Sequence, residues 1–374
     1  MKTLANLMIL FVLLSSCNTN EIQTPTIIFS GNNRLSLEPC GCTVPIGGLA
    51  RKINYIQNTK AILGKTNVFT VEAGNFLFHK AVDVRPQEGD YLKQLTKLQL
   101  DAYADVPYDA IHLGFNDFAL GLDYLKSIQK SYNLPLFSAN VMDKSGNSPF
   151  PAYVMLKSGN KNIVITGVID KGSKIHDDVI LKDPLRTLNK VLTPLIGSYD
   201  FCVVLVDGPE SMVNEVNDKI RGVDLVIDAR TTKQSLSSKK LSNTSYATLG
   251  REGKYLGVLE LTLGSPDRAL DYSSVQKRLQ FVDSRLEAYE KKLPDGVSLE
   301  EYYKDKKNIL KQIKRYQKDK YSQESLLDSI PSWYTWYSAA LTKEYDDHAV
   351  IDLAFAQIKN KFKELHLGMP VPRY

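Results

Sequence analysis

The chain has 374 residues, 43% hydrophobic and 24% charged, an ordinary globular composition with length for two or three domains. Lys+Arg 47 against Asp+Glu 42 leaves a formal charge of +5, too small a surplus to imply a nucleic-acid binder. Five histidines and four cysteines argue against a dense zinc ribbon or a disulfide scaffold, and any His-rich metal centre must draw on very few residues.

In chain order, the first element reads as an export signal. Lys2 supplies a positive start and Leu7 to Leu14 an apolar run, too short to span a bilayer, which takes about 20 apolar residues. Leu14-Ser15-Ser16-Cys17 resembles the bacterial lipobox. The resemblance implies cleavage before Cys17, a diacylglycerol thioether on its sulfur and a further acyl chain on its amine. Residues 18–26 follow as a polar tether. Each buried CH2 contributes roughly 0.8 kcal/mol, so several chains hold the protein at a bilayer. The expected location is the bacterial cell envelope, on an outer-membrane, periplasmic or surface face; a soluble secreted protein is the alternative.

From Thr26 to Gly264 short apolar runs alternate with amphipathic stretches. Thr26–Phe29, Asn67–Val71, Ala110–Leu113, Asn162–Ile165, Phe201–Val206 and Asp224–Ile227 are β-branched runs of buried-strand length, and Leu256–Leu263 closes the series. Helical patterns over Tyr91–Ala104 and Leu185–Leu195 lie between them. The fold class is α/β layered. Beyond Pro266 the pattern changes to a heptad seam: Val275, Leu279, Val282, Leu286, Tyr289 and Leu293. Pro294-Asp295-Gly296 breaks it, and Leu299, Tyr303, Lys306, Leu310, Ile313 and Gln317 form a second seam. This predicts an antiparallel helical hairpin over 268–330, each arm roughly 30 Å long, with a surface open to a protein partner. Its basic cluster (Lys311, Lys314, Arg315, Lys318, Lys320) reads as a solvated face, with acidic lipid headgroups as the alternative. The tail, 331–374, begins with a β-prone aromatic stretch, Trp333–Leu341. A helix over Asp347–Leu365 follows, with Val350, Leu353, Ala354, Ile358 and Phe362 on its apolar side. The two tryptophans pack the tail onto the hairpin or the main domain, or offer a platform for stacking an aromatic ligand.

Leu37-Glu38-Pro39-Cys40-Gly41-Cys42 followed by Gly47-Gly48-Leu49-Ala50-Arg51-Lys52 resembles the start of the secreted 5'-nucleotidase branch of the calcineurin-like metallophosphoesterases. There an Asp-x-His turn, a Leu-Glu-Pro and a Gly-Gly-Leu-Ala-Arg helix start follow the first strand. The likeness continues in order. Glu72-Ala73-Gly74-Asn75 stands for Asp-Ala-Gly-Asp, and Gly114-Phe115-Asn116-Asp117 for Gly-Asn-His-Glu. Leu136–Val141 stands for the next strand, Val223–Arg230 for the late Gly-Gly-His-x-His turn, and Gly253–Gly257 for the closing strand. It spans residues 27–265 and implies a four-layer metallophosphoesterase-like β-sandwich flanked by helices, here followed by the helical hairpin and the strand–helix tail. The substrate-binding C-terminal domain of the nucleotidases is not apparent.

That family holds two divalent metals between two sheets, and a metal-bound hydroxide attacks a phosphate ester. Position by position, the implied ligands are replaced. The first Asp and its His become Asn32 and Arg34, and the bridging Asp becomes Asn75. The Asn ligand becomes Phe115, and the neighbouring His becomes Asn116. The Ser-His pair falls at Val206-Asp207, and the last two histidines fall at Arg230 and Thr232. Arginine stays protonated and cannot ligate a metal. The expectation is a pseudo-phosphoesterase with a binding or assembly role and no cofactor. The alternative is a 5'-nucleotidase-like hydrolase with a remodelled site and one divalent metal on Asp207, Asn32, Asn75 and a cysteine. Arg34 and Arg230 either pair internally with Asp207 or Asp228, or bind an anion such as phosphate or a carboxylate.

With Cys17 lipidated, Cys40, Cys42 and Cys202 remain. One reading pairs Cys202 with Cys40 or Cys42; the other gives Cys40 and Cys42 a metal or redox role. Cys-Gly-Cys also resembles a loop in nucleotidase-like envelope proteins that travel with multihaem cytochromes, which implies a third reading, a subunit of an envelope redox assembly. The chain itself has no Cys-x-x-Cys-His haem site. Of the histidines, His112 reads as core, His79 could approach the old site, and His176, His348 and His366 have no evident partner.

Overall fold

A computed structural model describes residues 23–79, 86–264, 268–345 and 349–361. The signal segment, Cys17 and most of the tether lie outside the described residues, as do His348, Phe362 and His366.

The elements in order are β1 (Thr26–Ser30), α1 (Leu49–Leu63), β2 (Val68–Glu72), α2 (Pro86–Asp105), β3 (Ala110–His112), α3 (Gly121–Tyr132), β4 (Leu136–Phe137), β5 (Val141–Asp143), β6 (Tyr153–Ser158), β7 (Lys161–Ile169), β8 (Val179–Leu181), α4 (Pro184–Leu192), β9 (Phe201–Asp207), α5 (Glu210–Lys219), β10 (Leu225–Asp228), β11 (Lys239–Lys240), β12 (Ser245–Thr248), β13 (Tyr255–Leu263), β14 (Leu270–Asp271), α6 (Ser273–Glu290), α7 (Leu299–Tyr302), α8 (Lys307–Ser329), β15 (Ser332–Ala340) and α9 (Ala349–Lys361). They form a seven-stranded sheet of order β14-β15-β13-β1-β2-β3-β4, a six-stranded sheet of order β11-β12-β10-β9-β7-β6, and a small β5-β8 ribbon.

Strand periodicity sorts side chains into four layers. In β1, Ile27 and Phe29 enter the core between the sheets, whereas Ile28 faces α1, α2 and α3. In β9, Phe201, Val203 and Leu205 fill the inter-sheet core, and Cys202, Val204 and Val206 face α4 and α5. Strands covered on both faces carry apolar residues at every position, hence the unbroken runs in the sequence. The neighbours β1, β2 and β3 on one sheet and β7, β9, β10 and β12 on the other are parallel, so their C-terminal ends open at one edge.

The second half departs from the sequence reading in three places. The tail strand is no appendage: β15 pairs antiparallel with β13 from Tyr255↔Ala340 to Leu263↔Ser332 and is an internal strand of the larger sheet. Trp336 enters the inter-sheet core against Phe29, with Gly257 leaving room for its ring; Trp333 stays half-buried beside Tyr272. The hairpin forms, but its second arm is split into α7 and α8. Its small core is Val282, Leu286, Leu299, Tyr303, Ile313 and Tyr316. Lys306 sits outside the seam, exposed over the rings of Tyr302 and Tyr303, and the helix restarts one residue later. In α9 the buried residues are Ile351 and Phe355, packed on the body, while Leu353 is 63% exposed. Of the expected apolar side, Ala354 and Ile358 pack against the same core, partly buried, so the face matches in part, with Ile351 and Phe355 added and Leu353 left out. No helix among the described residues is long and apolar enough to cross a membrane.

Candidate functional site

The residues singled out by the resemblance meet where the parallel strands end, on loops following β1, β2, β3 and β10 and on the last residue of β9, an edge where open α/β sheets commonly bind ligands. Asn32, Arg34 and Leu35 after β1, and Asn75 after β2, have φ between 52° and 58°. Asparagine enters this left-handed region readily; for Arg34 and Leu35 it costs about 1 kcal/mol each. Backbone bonds bind the two loops together, Asn32 N to Gly74 O and Arg34 N to Asn75 O.

Asp207, fully buried, is the hub. Its Oδ1 accepts from Arg230 Nε at 2.8 Å, and its Oδ2 from the Phe115 backbone N–H at 2.6 Å. Arg230 also donates through Nη2 to the Asp207 carbonyl and to Ser173 Oγ, and its guanidinium lies 4.4 Å over the Phe115 ring. Asp228 accepts from the backbone N–H groups of Arg230 and Thr231, which holds the loop in place; burial raises its carboxyl above the ordinary value. Asn32 is engaged at both ends. Its Nδ2 donates to the carbonyls of Gly250, Thr231 and Arg230, and its Oδ1 accepts from Arg34 Nε. Asn75 Oδ1 accepts the Asn116 N–H, and its Nδ2 is buried with no hydrogen-bond partner among the described residues. Partial burial lowers the Arg34 guanidinium, which faces Asp207 and Glu252 as well as Arg230 and Arg251.

Asn32, Arg34, Asn75, Phe115, Asn116, Asp207 and Arg230 thus come together. Thr232 does not: it is exposed, and Thr231 takes its place with a backbone N–H and carbonyl in the network. The expected internal pairing divides unequally, because Arg230 takes Asp207 as an ion pair and Asp228 as a backbone anchor, while among the described residues the side-chain hydrogen bond of Arg34 goes to the amide of Asn32. Ser173, from a distant loop, was not identifiable from sequence, where a lone serine in a Lys-Gly-Ser-Lys stretch carries no signal.

This donor set does not fit two divalent cations. Hard cations need several free anionic or imidazole donors. Both oxygens of Asp207 are committed to N–H groups, the amide oxygens of Asn32 and Asn75 are taken, and two guanidiniums stand beside them. Among the described residues no group of three or more His, Cys, Asp or Glu is placed to hold a metal ion.

A second polar cluster lies beneath the loops. Glu72 Oε2 accepts from Ser30, Asn33 and Tyr103, with Lys52 Nζ at 3.8 Å. Burial raises the Glu72 carboxyl, and burial lowers the Lys52 ammonium to about 8. Glu72 stands at the first position of the family's Asp-Ala-Gly-Asp segment, and here it organises a buried network instead.

The three described histidines make none of the hydrogen bonds of the Asp207 cluster. His112 is buried against Gly167, its Nδ1 3.1 Å from the Ala73 carbonyl. His79 faces Glu88 at 3.8 Å. His176, which showed no partner in the sequence, is 2.7 Å from Asp178, whose other oxygen accepts the Leu122 N–H at the start of α3.

The cysteines among the described residues are three free thiols. Pairing Cys202 with Cys40 or Cys42 is ruled out by strand alternation: Cys202 points into the core under α4 and α5, a different layer from the loop after β1. A groove of about 600 Å³ runs between that loop and α9, lined by Leu37, Pro39, Gly41, Ile351 and Phe355, with Lys359 3.4 Å from Glu38 at its rim. No residue of the Asp207 cluster lines it.

No protein-family model matches the chain. It is similar to the trifunctional nucleotide phosphoesterase protein YfkN of Bacillus subtilis, 23% identical over 59% of this chain and 18% of that one. It is also similar to the uncharacterized metallophosphoesterase YunD of the same organism, 20% identical over 54% of this chain and 48% of that one. The chain therefore spans less than half the length of either. Among solved structures, the 5'-nucleotidase precursor from Thermus thermophilus superposes with a TM-score of 0.60 at 16% identity, over 92% of this chain and 60% of that one. The fold is that of the calcineurin-like phosphoesterases of 5'-nucleotidase type.

Proposed function

We propose that the protein is a lipid-anchored envelope protein, held at a bilayer through acylated Cys17, whose phosphoesterase-type domain binds or assembles rather than hydrolyses. The observation that carries this reading is the Arg230–Asp207 pair, stacked on Phe115: a permanent organic cation, held by three hydrogen bonds, balances the hub carboxylate. Both carboxylates of the cluster are committed, Asp207 to Arg230 and the Phe115 N–H, Asp228 to the N–H groups of Arg230 and Thr231 and to the Tyr246 hydroxyl; the other side chains are amides, hydroxyls and arginines. The helical hairpin, with Phe281 and Tyr321 exposed on its outer surface, supplies the face for a protein partner.

The deciding experiment incubates the full chain with Mn2+ or Zn2+, measures bound metal after desalting, and follows hydrolysis of p-nitrophenyl phosphate and its bis-ester. Substoichiometric metal and no turnover above the blank are expected. Turnover that disappears in D207A or N75A defeats the reading and restores the hydrolase.

One observation favours a ligand at the same place. The terminal nitrogens of Arg34 have no hydrogen bond among the described residues, and Arg251 adds positive charge beside them. Such a fork suits a phosphate or carboxylate. Calorimetry with inorganic phosphate and nucleotides, on wild type and R34M, tests it; no heat at millimolar ligand removes the anion while leaving the pseudoenzyme standing.

A further inference from the structure

The loop after β1 carries an arrangement the Asp207 cluster does not use. Cys40 is buried and Cys42 exposed, two free thiols one residue apart on the same loop. The loop is closed upon them. Cys40 N–H donates to Ile46 O, Ile46 N–H donates to Cys40 Sγ at 3.5 Å, and Arg51, on α1, donates to the Pro45 carbonyl at 2.8 Å. Lys254, held by Glu252 at 2.9 Å, brings an ammonium close enough to act on both sulfurs. The two thiols are therefore unequal. Burial by itself raises Cys40, but hydrogen bonds from the Cys42 thiol and from the Ile46 and Cys42 N–H groups bring it below the ordinary thiol value; Cys42 is raised by its bond to Cys40.

The geometry points to a thiol–disulfide exchange site at Cys40-Gly41-Cys42, in which the exposed sulfur of Cys42 is attacked by a partner dithiol and the shielded sulfur of Cys40 is the leaving group. A thiolate attacks the more accessible sulfur, and exchange is faster when the departing thiolate is the better stabilised one. The Ile46 N–H stands where that thiolate is released, and Lys254 adds positive charge to its surroundings. The same ammonium argues against a soft metal ion on the pair, since it repels a cation. The described structure is the reduced state.

Starting from the Cys40–Cys42 disulfide, a thiolate of the partner bonds to Cys42 Sγ as the Cys40–Cys42 bond breaks, and Cys40 leaves as thiolate. The partner's second thiolate then attacks its own sulfur in the mixed disulfide and releases Cys42. One disulfide is reduced by two electrons and one dithiol oxidised by two, and the two thiol protons of the partner pass to Cys40 and Cys42. The reverse reaction uses a partner disulfide as the oxidant.

The full chain, equilibrated in glutathione buffers of graded potential, quenched with acid and alkylated, tests this by peptide mass. An intramolecular Cys40–Cys42 disulfide should appear as a single two-electron transition, with Cys202 alkylated only after unfolding. In C40S, glutathione disulfide should leave a stable mixed disulfide on Cys42; in C42S, Cys40 should react at least tenfold more slowly. K254M should slow reduction of the disulfide by dithiothreitol severalfold without changing which sulfurs pair. The proposal is overturned if wild type forms only glutathione adducts or Cys202 disulfides across the series, or if Cys40 and Cys42 react at equal rates. Because wild type alone decides the first point, a variant that fails to fold does not shelter the idea.

Discussion

Asp117 shows how a residue next to a lost site can hold the site's shape. It accepts the backbone N–H groups of Asn75, Leu77 and Gly114, tying the loop after β2 to the loop after β3. Burial pushes its carboxyl up from 3.8 to about 8, against the pull of those donors. Between these two values the folded chain holds a proton that the unfolded chain has lost, so stability falls as pH rises from about 4 to about 8. In D117N the amide nitrogen faces backbone donors and the protein is weaker overall, but this contribution to the pH slope vanishes. Urea denaturation of both proteins at pH 5, 6.5 and 8 checks it; parallel slopes would show that Asp117 is ionised throughout. The position was visible in the quoted Gly114–Asp117 segment, yet its role was not, since its three donors are main-chain groups that composition cannot name. Asn32, Arg34, Asn75 and Arg230 could be read from ordered matches to a known pattern; Ser173 and Thr231 join through loop geometry alone.

At the scale of elements, strand runs were legible because burial on both faces leaves no polar position, and β1, β9 and β10 begin and end within a residue or two of the apolar runs. Partner and register were not legible where pairing is distant. Residues 333–341 read as a strand, but only the open edge of β13 explains why they form one in the larger sheet. The burial of Ile351 and Phe355 and the exposure of Leu353 in α9 have the same origin: which side chains of a weakly amphipathic helix are buried depends on what it meets. Trp336, 1% exposed and in contact with Phe29, is the main inward anchor of β15. Replacing it with alanine should cost about 3–5 kcal/mol in urea unfolding, whereas W333A, at a half-buried position, should cost well under half of that. Equal losses would mean that β15 is held by its ladder of hydrogen bonds and not by this side chain.

For the molecule as a whole, the hairpin is an excursion between two neighbouring strands of one sheet. β14 and β15 pair in parallel, Leu270↔Trp333 and Asp271↔Tyr334, and α6 to α8 intervene. The hairpin has its own core, and it touches the body through its base, where Tyr272 OH donates to Gln323 O and Ser273 Oγ accepts the Trp336 N–H. Replacing residues 277–320 with a short Gly/Ser linker should therefore leave the body folded, with a thermal midpoint shifted by no more than about 5 °C. A body that no longer unfolds cooperatively would show that the hairpin completes its core.

The placement of β15 also bears on the order of assembly. β1, at residue 26, pairs with β13, near residue 260, and β13 acquires its second neighbour only when residues 332–340 are available. Contacts of such sequence separation form slowly, because the intervening chain must first be gathered. During synthesis the larger sheet stays incomplete until residues 332–340 have been made, and the apolar edge of β13 waits uncovered while the hairpin between them folds. A chain delayed in this way remains threadable for longer and is exposed to edge-to-edge association for as long, so truncation just short of residue 332 should yield aggregates and not a smaller domain.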